Sequence, residues 1–288
     1  VGQLRRSLHF VIGAVEGLKA LDRVSAPVAA SVKKVTGSPP VKNALSGTWL
    51  GHQLHPALTD VPIGLWTAAS VLDLTSGDAG SDAARRLVGF GALSSIPTAA
   101  AGAADWSDSY GPEQRVGIVH AALNSTALVL QVSSWLVRRR GSRGVGTVLS
   151  LAGLGLTLAS AYLGGHLSLV RGVGVNHTAF QEGTESWTDV AADGDLAENK
   201  PLRVEAGGVP VVLVRRGGAV HALSATCTHA GGPLDEGTVD ENGCVQCPWH
   251  GSRFSLADGT VAQGPATVSE PVWEVKSEKE RIWVRLAG

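Results

Sequence analysis

A chain of 288 residues with 44% hydrophobic and only 17% charged residues has room for about two domains and carries fewer charges than the ~25% of an ordinary soluble protein. The charges divide unevenly: residues 1–175 hold 15 Lys/Arg against 9 Asp/Glu, residues 176–288 hold 9 against 16, and the whole chain stands at −1. That balance excludes an overall electrostatic case for nucleic-acid binding, and three cysteines exclude a disulfide scaffold.

Residues 1–46 are basic, with Leu8, Val11, Ile12, Val15 and Leu18 at helical spacing and a Gly37-Ser38-Pro39-Pro40 breaker. This pattern predicts an amphipathic segment lying on a membrane surface or on a helical bundle. A signal peptide is the other reading, although Glu16 and Lys19 interrupt the apolar run.

Three uncharged runs follow, Leu87 to Ala104, Val116 to Val137 and Gly144 to Val170. Each reaches the ~18–20 residues that a helix rising 1.5 Å per residue needs to cross a ~30 Å hydrocarbon layer. A fourth, about Ala57 to Ser76, has Asp60 and Asp73 near its two ends and an apolar centre, VPIGLWTAASVL. Trp49, Trp106 and Trp135 lie at the margins, and Gly and Ala are frequent inside the runs, as closely packed membrane helices require. Residues 47–172 are therefore predicted as an all-α transmembrane four-helix bundle; buried helices of a large soluble protein are the alternative.

Following the four spans back and forth places His55, Asp60, Asp105, His120, Asn124 and His166 in one layer, on the side that also carries the C-terminal region. Ionisable groups inside a membrane are costly and default to function. Two facing imidazoles can hold haem b or another metal, and a His and Asp cluster can exchange protons with a quinone. Plain hydrogen-bonded groups that fix helix packing are the simpler reading. The loops on the opposite side hold Arg85, Arg86, Arg138, Arg139, Arg140 and Arg143, so the excess of positive charge makes that side cytoplasmic and the C-terminal side external. The segment GHQLHPALTDVPIGLW resembles the signature of a family of predicted membrane proteins of unknown function, similar over residues 47–172, and the resemblance implies a membrane domain without an activity.

Residues 173–186 read as a polar linker, and residues 187–288 as a second domain. Short β-rich runs such as VPVVLVRR, AVHALSA, PVWEVK and RIWVRL, divided by Gly and Pro turns, predict a small antiparallel sandwich or barrel. Within it stand Cys227 and His229 in CTHAGGPL, then Cys247 and His250 in CPWHGSRF. Two loops that each offer a thiolate and an imidazole can hold two irons, the cysteines on one and the histidines on the other. Zinc accepts the same ligand types, but zinc fingers usually pair like with like, CxxC then HxxxH.

The stretch from about residue 185 to 286 closely resembles a Rieske [2Fe-2S] domain, including the Gly and Pro residues that shape the two loops. Rieske proteins of quinol-oxidising complexes add a disulfide between those loops; Gly232 and Trp249 occupy the matching positions here, so that bridge cannot form. Cys244 reads as a buried strand thiol. The same proteins stabilise the reduced cluster with a Ser and a Tyr just after the last ligand. Ser252 matches the first and Phe254 replaces the second, which implies a potential in the low to middle part of the range of about −150 to +300 mV. His221 reads as a strand residue and His177 as a linker residue.

The sequence thus predicts two domains, the transmembrane four-helix bundle and an all-β Rieske-type iron-sulfur domain. Its function reads as an integral protein of the cell membrane with the cluster on the external face, an electron-transfer protein or oxidoreductase component. Single electrons would pass between the [2Fe-2S] cluster and a redox group in the bundle (haem, another metal or a quinone) or a redox partner protein. An inert anchor tethering a ferredoxin-like module to a partner enzyme is the alternative, as is a redox sensor.

Overall fold

The long uncharged runs form helices because nothing in them competes with the backbone for its hydrogen bonds, and their ends fall where Gly, Ser or charged residues return. The computed structural model describes residues 2–287. It divides into two compact units, one of Val1–Gly37 with Leu54–Val173 and one of Ser38–Gln53 with Gly174–Gly288.

The first unit contains α1 (Gly2–Gly17), α2 (Asp22–Thr36) and four longer helices. Residues 39–46 form a helix, α3 (Pro39–Ser46), that belongs to the second unit. The longer helices are α4 (Leu54–Thr75), α5 (Ser81–Trp106), α6 (Gly111–Arg139) and α7 (Arg143–Gly165). α4 packs on α5 and α7, and α6 packs on the same two, so α4 and α6 stand diagonally. α1 lies along α6, with Ile12 buried against Val116 and Leu163.

Large apolar side chains such as Phe90, Leu93, Ile96, Val129, Val148 and Leu158 point outward and are exposed, while Ala69, Ala84, Ala101, Ser134, Ser150 and Ser160 are buried. An apolar exterior around a small and polar interior is how helices pack in lipid, where there is no hydrophobic force between them. Three helical stretches, Gly77–Trp106, Gly111–Arg139 and Arg143–Val170, are long and apolar enough to cross a membrane. Three of the four expected spans are thus of that kind; α4 is a 22-residue helix carrying Asp60 and Asp73 and is not among them. Asp73 stands in the last turn of α4. It is buried and ion-paired with Arg138, through Nη1 to Oδ1 at 2.8 Å and Nη2 to Oδ2 at 2.5 Å.

Among the described residues of the second unit, ten short strands build two antiparallel sheets. The larger has the order β1 (Thr188–Ala192), β10 (Arg281–Leu286), β9 (Val272–Glu278), β4 (Ala219–Ser224), β3 (Val209–Arg216), β2 (Leu202–Ala206). The smaller runs β5 (Thr238–Val239), β6 (Cys244–Gln246), β7 (Arg253–Ser255), β8 (Val261–Gln263). β3 is apolar at consecutive positions because both of its faces are covered. Val211 and Leu213 enter a core with Trp273, Ile282 and Val284. Val212 and Val214 enter the other, with Leu223, Leu234, Val245 and Phe254. The alternation follows from the two-residue period of a strand. α3 is fixed to the same unit by Asn43, whose amide donates to the Ala262 carbonyl at 3.2 Å and accepts the Gly264 N–H at 2.9 Å.

Candidate metal centre and a histidine pair in the helical unit

Two loops of the β unit are closed by the same pair of backbone bonds. In the first, the Cys227 N–H donates to the Gly232 carbonyl and the Gly231 N–H to the Cys227 carbonyl, each at 2.8 Å. In the second, the Cys247 N–H donates to the Ser252 carbonyl at 2.8 Å and the Gly251 N–H to the Cys247 carbonyl at 3.1 Å. The position four residues after each cysteine has a positive φ, +74° at Gly231 and +77° at Gly251, a conformation glycine adopts at little steric cost. The repeated Gly in the two motifs is therefore a requirement of the turn.

The loops bring the four predicted ligands together. Cys227 and Cys247 are buried at 1% and 2% exposure and belong to the core between the sheets. Their thiols lie in hydrogen-bond contact. The Cys247 thiol is lowered to about 6 by the Cys227 thiol beside it, with the Trp249 and His250 N–H groups adding to the effect, while Cys227 is pushed up by the same contact and by burial. His229 and His250 are half-buried, with ring centroids 4.9 Å apart. Two inner thiols and two outer imidazoles, on loops held alike, suit a two-iron cluster with unlike ends.

Close approach at Gly232 supports the same fit. A Cβ there would lie 2.9 Å from the Cys247 Sγ and 3.0 Å from the Trp249 ring, so the absence of a side chain lets the loops meet. All three cysteines are free thiols, and the Trp249 ring lies against Gly232. Cys244 sits in β6 opposite Ser255. Ser252 and Phe254 are fully buried, and the Ser252 oxygen accepts the Ala266 N–H at 2.9 Å. Phe254 shares the core of Cys227 and Cys247.

Some neighbours carry no signal in the sequence. Glu270 is buried at 2% exposure and its Oε1 accepts the N–H of Thr228, between two ligands, at 2.7 Å. Burial raises its carboxyl to about 8, against the lowering effect of the Thr228 bonds. A lone Glu before a Pro gives a reader no reason to select it. His177, expected in a linker, donates its N–H to the Thr228 carbonyl at 3.1 Å, so the stretch before β1 packs on the first ligand loop. His221 is in β4, opposite Val214.

In the helical unit, three of the six predicted layer residues come together. His55 and His120 have ring centroids 6.4 Å apart at 85°. The His55 Nδ1–H donates to the Thr98 carbonyl of α5 at 2.9 Å, and the His120 Nδ1–H to the Ser160 carbonyl of α7 at 2.8 Å. The Asn124 amide donates to the His120 Nε2 at 3.1 Å. The other three are placed differently: Asp60 is exposed and Asp105 is half-buried near the end of α5, and His166 is paired with Glu16 of α1 at 3.0 Å.

Residues 186–277 match the Rieske [2Fe-2S] domain, and residues 51–177 match the predicted membrane protein family DUF2231. Over 99 residues, 34% of this chain and 92% of the relative, the chain is 34% identical to ferredoxin CarAc of Metapseudomonas resinovorans. It is 40% identical over 91 residues, 32% of this chain, to apoptosis-inducing factor 3 of Homo sapiens, of whose length it spans only 15%. Among solved structures, the ferredoxin of carbazole 1,9a-dioxygenase from Nocardioides aromaticivorans IC177 is similar at 29% identity and a TM-score of 0.34, covering 34% of this chain and 96% of that one. The chain therefore belongs to the Rieske [2Fe-2S] family through residues 186–277 and joins that domain to a DUF2231 membrane domain.

Proposed function

We propose that the chain is a membrane-anchored Rieske electron carrier in which Cys227 and Cys247 hold one iron of a [2Fe-2S] cluster and His229 and His250 the other. The observation that carries this reading is the pair of equally closed loops with buried thiols and half-buried imidazoles. A cluster so bound accepts and gives up one electron at a time. The protein's part is to bury the sulfur end in the core and to leave the histidine end nearer solvent, beside Trp249, which is 54% exposed. The donor or acceptor is a redox partner protein or a group in the membrane unit. Relatives named as ferredoxins, including the ferredoxin component of biphenyl 2,3-dioxygenase from Rhodococcus jostii (strain RHA1), 34% identical over 101 residues, favour an oxygenase-type partner. The test is electron paramagnetic resonance of the dithionite-reduced protein in detergent, with iron and zinc analysis. A Rieske signal with two irons per chain supports the reading, and a colourless zinc protein overturns it.

α4 is proposed as the fourth span, because its Asp73 is neutralised by Arg138 inside the unit. The external face is proposed for the cluster on the strength of the arginine-rich loops, since acidic neighbours contribute little to that bias. Reporters placed at residues 51–53 and 77–80, on either side of α4, should give opposite signals, and equal signals would remove the fourth span. Reporters fused after Val170 and within residues 138–143 should also differ, the first external, and reversed signals would remove the external face.

Ser252 is proposed as a donor that stabilises the reduced cluster. Its oxygen is held by the Ala266 N–H, which leaves its own proton to give. A hydrogen bond to a charged group is worth about 1.5–3 kcal/mol, which at ~59 mV per tenfold for one electron is roughly 65–130 mV. Ser252→Ala should lower the potential by that amount, and Phe254→Tyr should raise it if the added hydroxyl reaches a cysteine sulfur. Protein-film voltammetry reads both; an unmoved potential in Ser252→Ala removes the role.

A further inference from the structure

We infer that the unit holding the Rieske domain rests on the lipid surface through an apolar strip made of Trp49, Leu50, Val175 and Phe180. The inference deepens the reading above by giving the carrier a seat on the membrane, and it rests on the reading of the helical unit as membrane-spanning.

The strip stands out against the rest of its unit. Among the described residues of that unit, the large apolar side chains that face outward are Val41, Trp49, Leu50, Val175, Phe180 and Trp249. Residues 181–287 contribute Trp249 alone, at the second ligand loop. The other five belong to residues 38–53 and 174–180, the two stretches of the unit that continue directly into the helical unit. Single apolar side chains scattered over a surface need no explanation, whereas neighbouring ones mark a contact. Phe180 is 95% exposed and Trp49 67% exposed. The Trp49 indole N–H donates to the Ala44 carbonyl at 3.2 Å, which fixes its ring in that position.

Chain connectivity identifies the surface they meet. Trp49 and Leu50 precede Leu54, the first residue of α4, by five and four residues, and Val175 follows Val170, the end of the last candidate span, by five. At about 3.3–3.6 Å per extended residue, none of the three stands farther than roughly 18 Å from the end of a helix read as spanning. The two stretches also meet, since a Cβ at Gly174 would collide with the Gln53 side chain. Phe180 is drawn in by successive turns, in which the Ala179 N–H donates to the Asn176 carbonyl at 3.3 Å and the Gln181 N–H to the Thr178 carbonyl at 3.0 Å. The match to the DUF2231 family covers residues 51–177, so it takes in Gln53 and Gly174, although both pack with the strands of the second unit. Trp and other large apolar side chains just beyond the ends of spans are what settles a protein into the headgroup layer.

The seat is fastened to the first ligand loop. His177, between Val175 and Phe180, donates its N–H to the Thr228 carbonyl at 3.1 Å, and a Cβ at Gly231 would lie 3.4 Å from its Nδ1. A surface that holds residues 175–180 in the headgroup layer therefore holds that loop beside it, and the redox partner meets the cluster at the lipid–water boundary.

The test uses the full chain with Cys244→Ser, reconstituted in vesicles of phosphatidylcholine and phosphatidylglycerol. It carries one nitroxide at a time, at Leu50→Cys, Phe180→Cys, Leu93→Cys or Ala219→Cys. Leu93 is exposed on α5 within a candidate span, and Ala219 is exposed at the start of β4, so these two mark lipid and water. Power saturation with oxygen, which concentrates in lipid, and with a nickel chelate, which stays in water, reads the depth of each label in the oxidised protein. Labels at 50 and 180 are expected about 5–10 Å into the headgroup boundary, open to oxygen and several-fold less open to nickel than the label at 219. Nickel access equal to that at 219 overturns the inference. Shielding from both reagents overturns it as well, because protein, a second copy or a partner, would then cover the strip. A label at 93 that lies in water removes the membrane reading and the inference with it. The Rieske resonance of the same samples after reduction tests the cluster reading separately: its absence, with the labels at 50 and 180 in lipid, leaves the seat standing.

Discussion

Cys247→Ala and His250→Ala are each expected to abolish the Rieske resonance and the visible absorbance of the reduced protein, while Cys244→Ser keeps both. Cys244 and Cys247 are three residues apart in one chain segment, yet their surroundings differ. Cys244 is paired in β6 opposite Ser255, whereas Cys247 begins the closed loop and meets the Cys227 thiol. Removing one sulfur leaves an iron with a single protein ligand and takes a buried side chain from the core that joins the two sheets. Cluster loss should therefore carry a cost in stability as well, because metal-binding free energy is folding free energy when the ligands are brought together only in the folded state. Thermal unfolding of residues 173–288 within the intact chain, followed by the fluorescence of Trp249 and Trp273, reads that cost. A full resonance in Cys247→Ala together with its loss in Cys244→Ser would move the ligand set to Cys244.

What could be read beforehand depended on how far apart the cooperating residues lie along the chain. Each ligand loop packs its cysteine, histidine and turn glycine into six residues, so ligand chemistry and loop geometry are both visible in CTHAGG and CPWHGS. The groups that brace the first ligand loop through Thr228, residues 177 and 270, lie dozens of positions away from it, and nothing local marks either. Depth in the bundle was legible in the same limited way. Helical rise places His55, Asp60 and His120 at similar levels, but direction depends on rotation at about 100° per residue. Asp60, five residues after His55, is turned by roughly 140° and faces outward; Asn124, four after His120, is turned by only ~40° and meets its ring. Asp73 shows the same limit: its place near the end of an apolar run is legible, whereas its partner, 65 residues on, is not.

Replacing Asp73 with Leu, or Arg138 with Leu, is expected to be the most destabilising single change in the helical unit. The two side chains are 0% and 1% exposed. The guanidinium meets both carboxylate oxygens and also donates to the Ser134 hydroxyl at 3.0 Å. Gly146 of α7 makes room for the arginine stem, since a Cβ there would collide with it. The pair ties the C-terminal ends of α4 and α6 together beside the start of α7. Removing one partner of a buried ion pair leaves an uncompensated charge and costs about 3–5 kcal/mol, whereas replacing both with apolar groups is often close to neutral. Each single variant should therefore unfold far more readily in detergent, and Asp73→Leu with Arg138→Leu together should recover most of the loss. Equal losses in the single and double variants would mean that the two residues act independently, and α4 would then lose the argument that it crosses the membrane with its carboxylate neutralised. Recovery in the double variant would instead show that the arginine counted among the loop charges stabilises the bundle from inside it, with Arg85, Arg86, Arg139, Arg140 and Arg143 left to orient the chain.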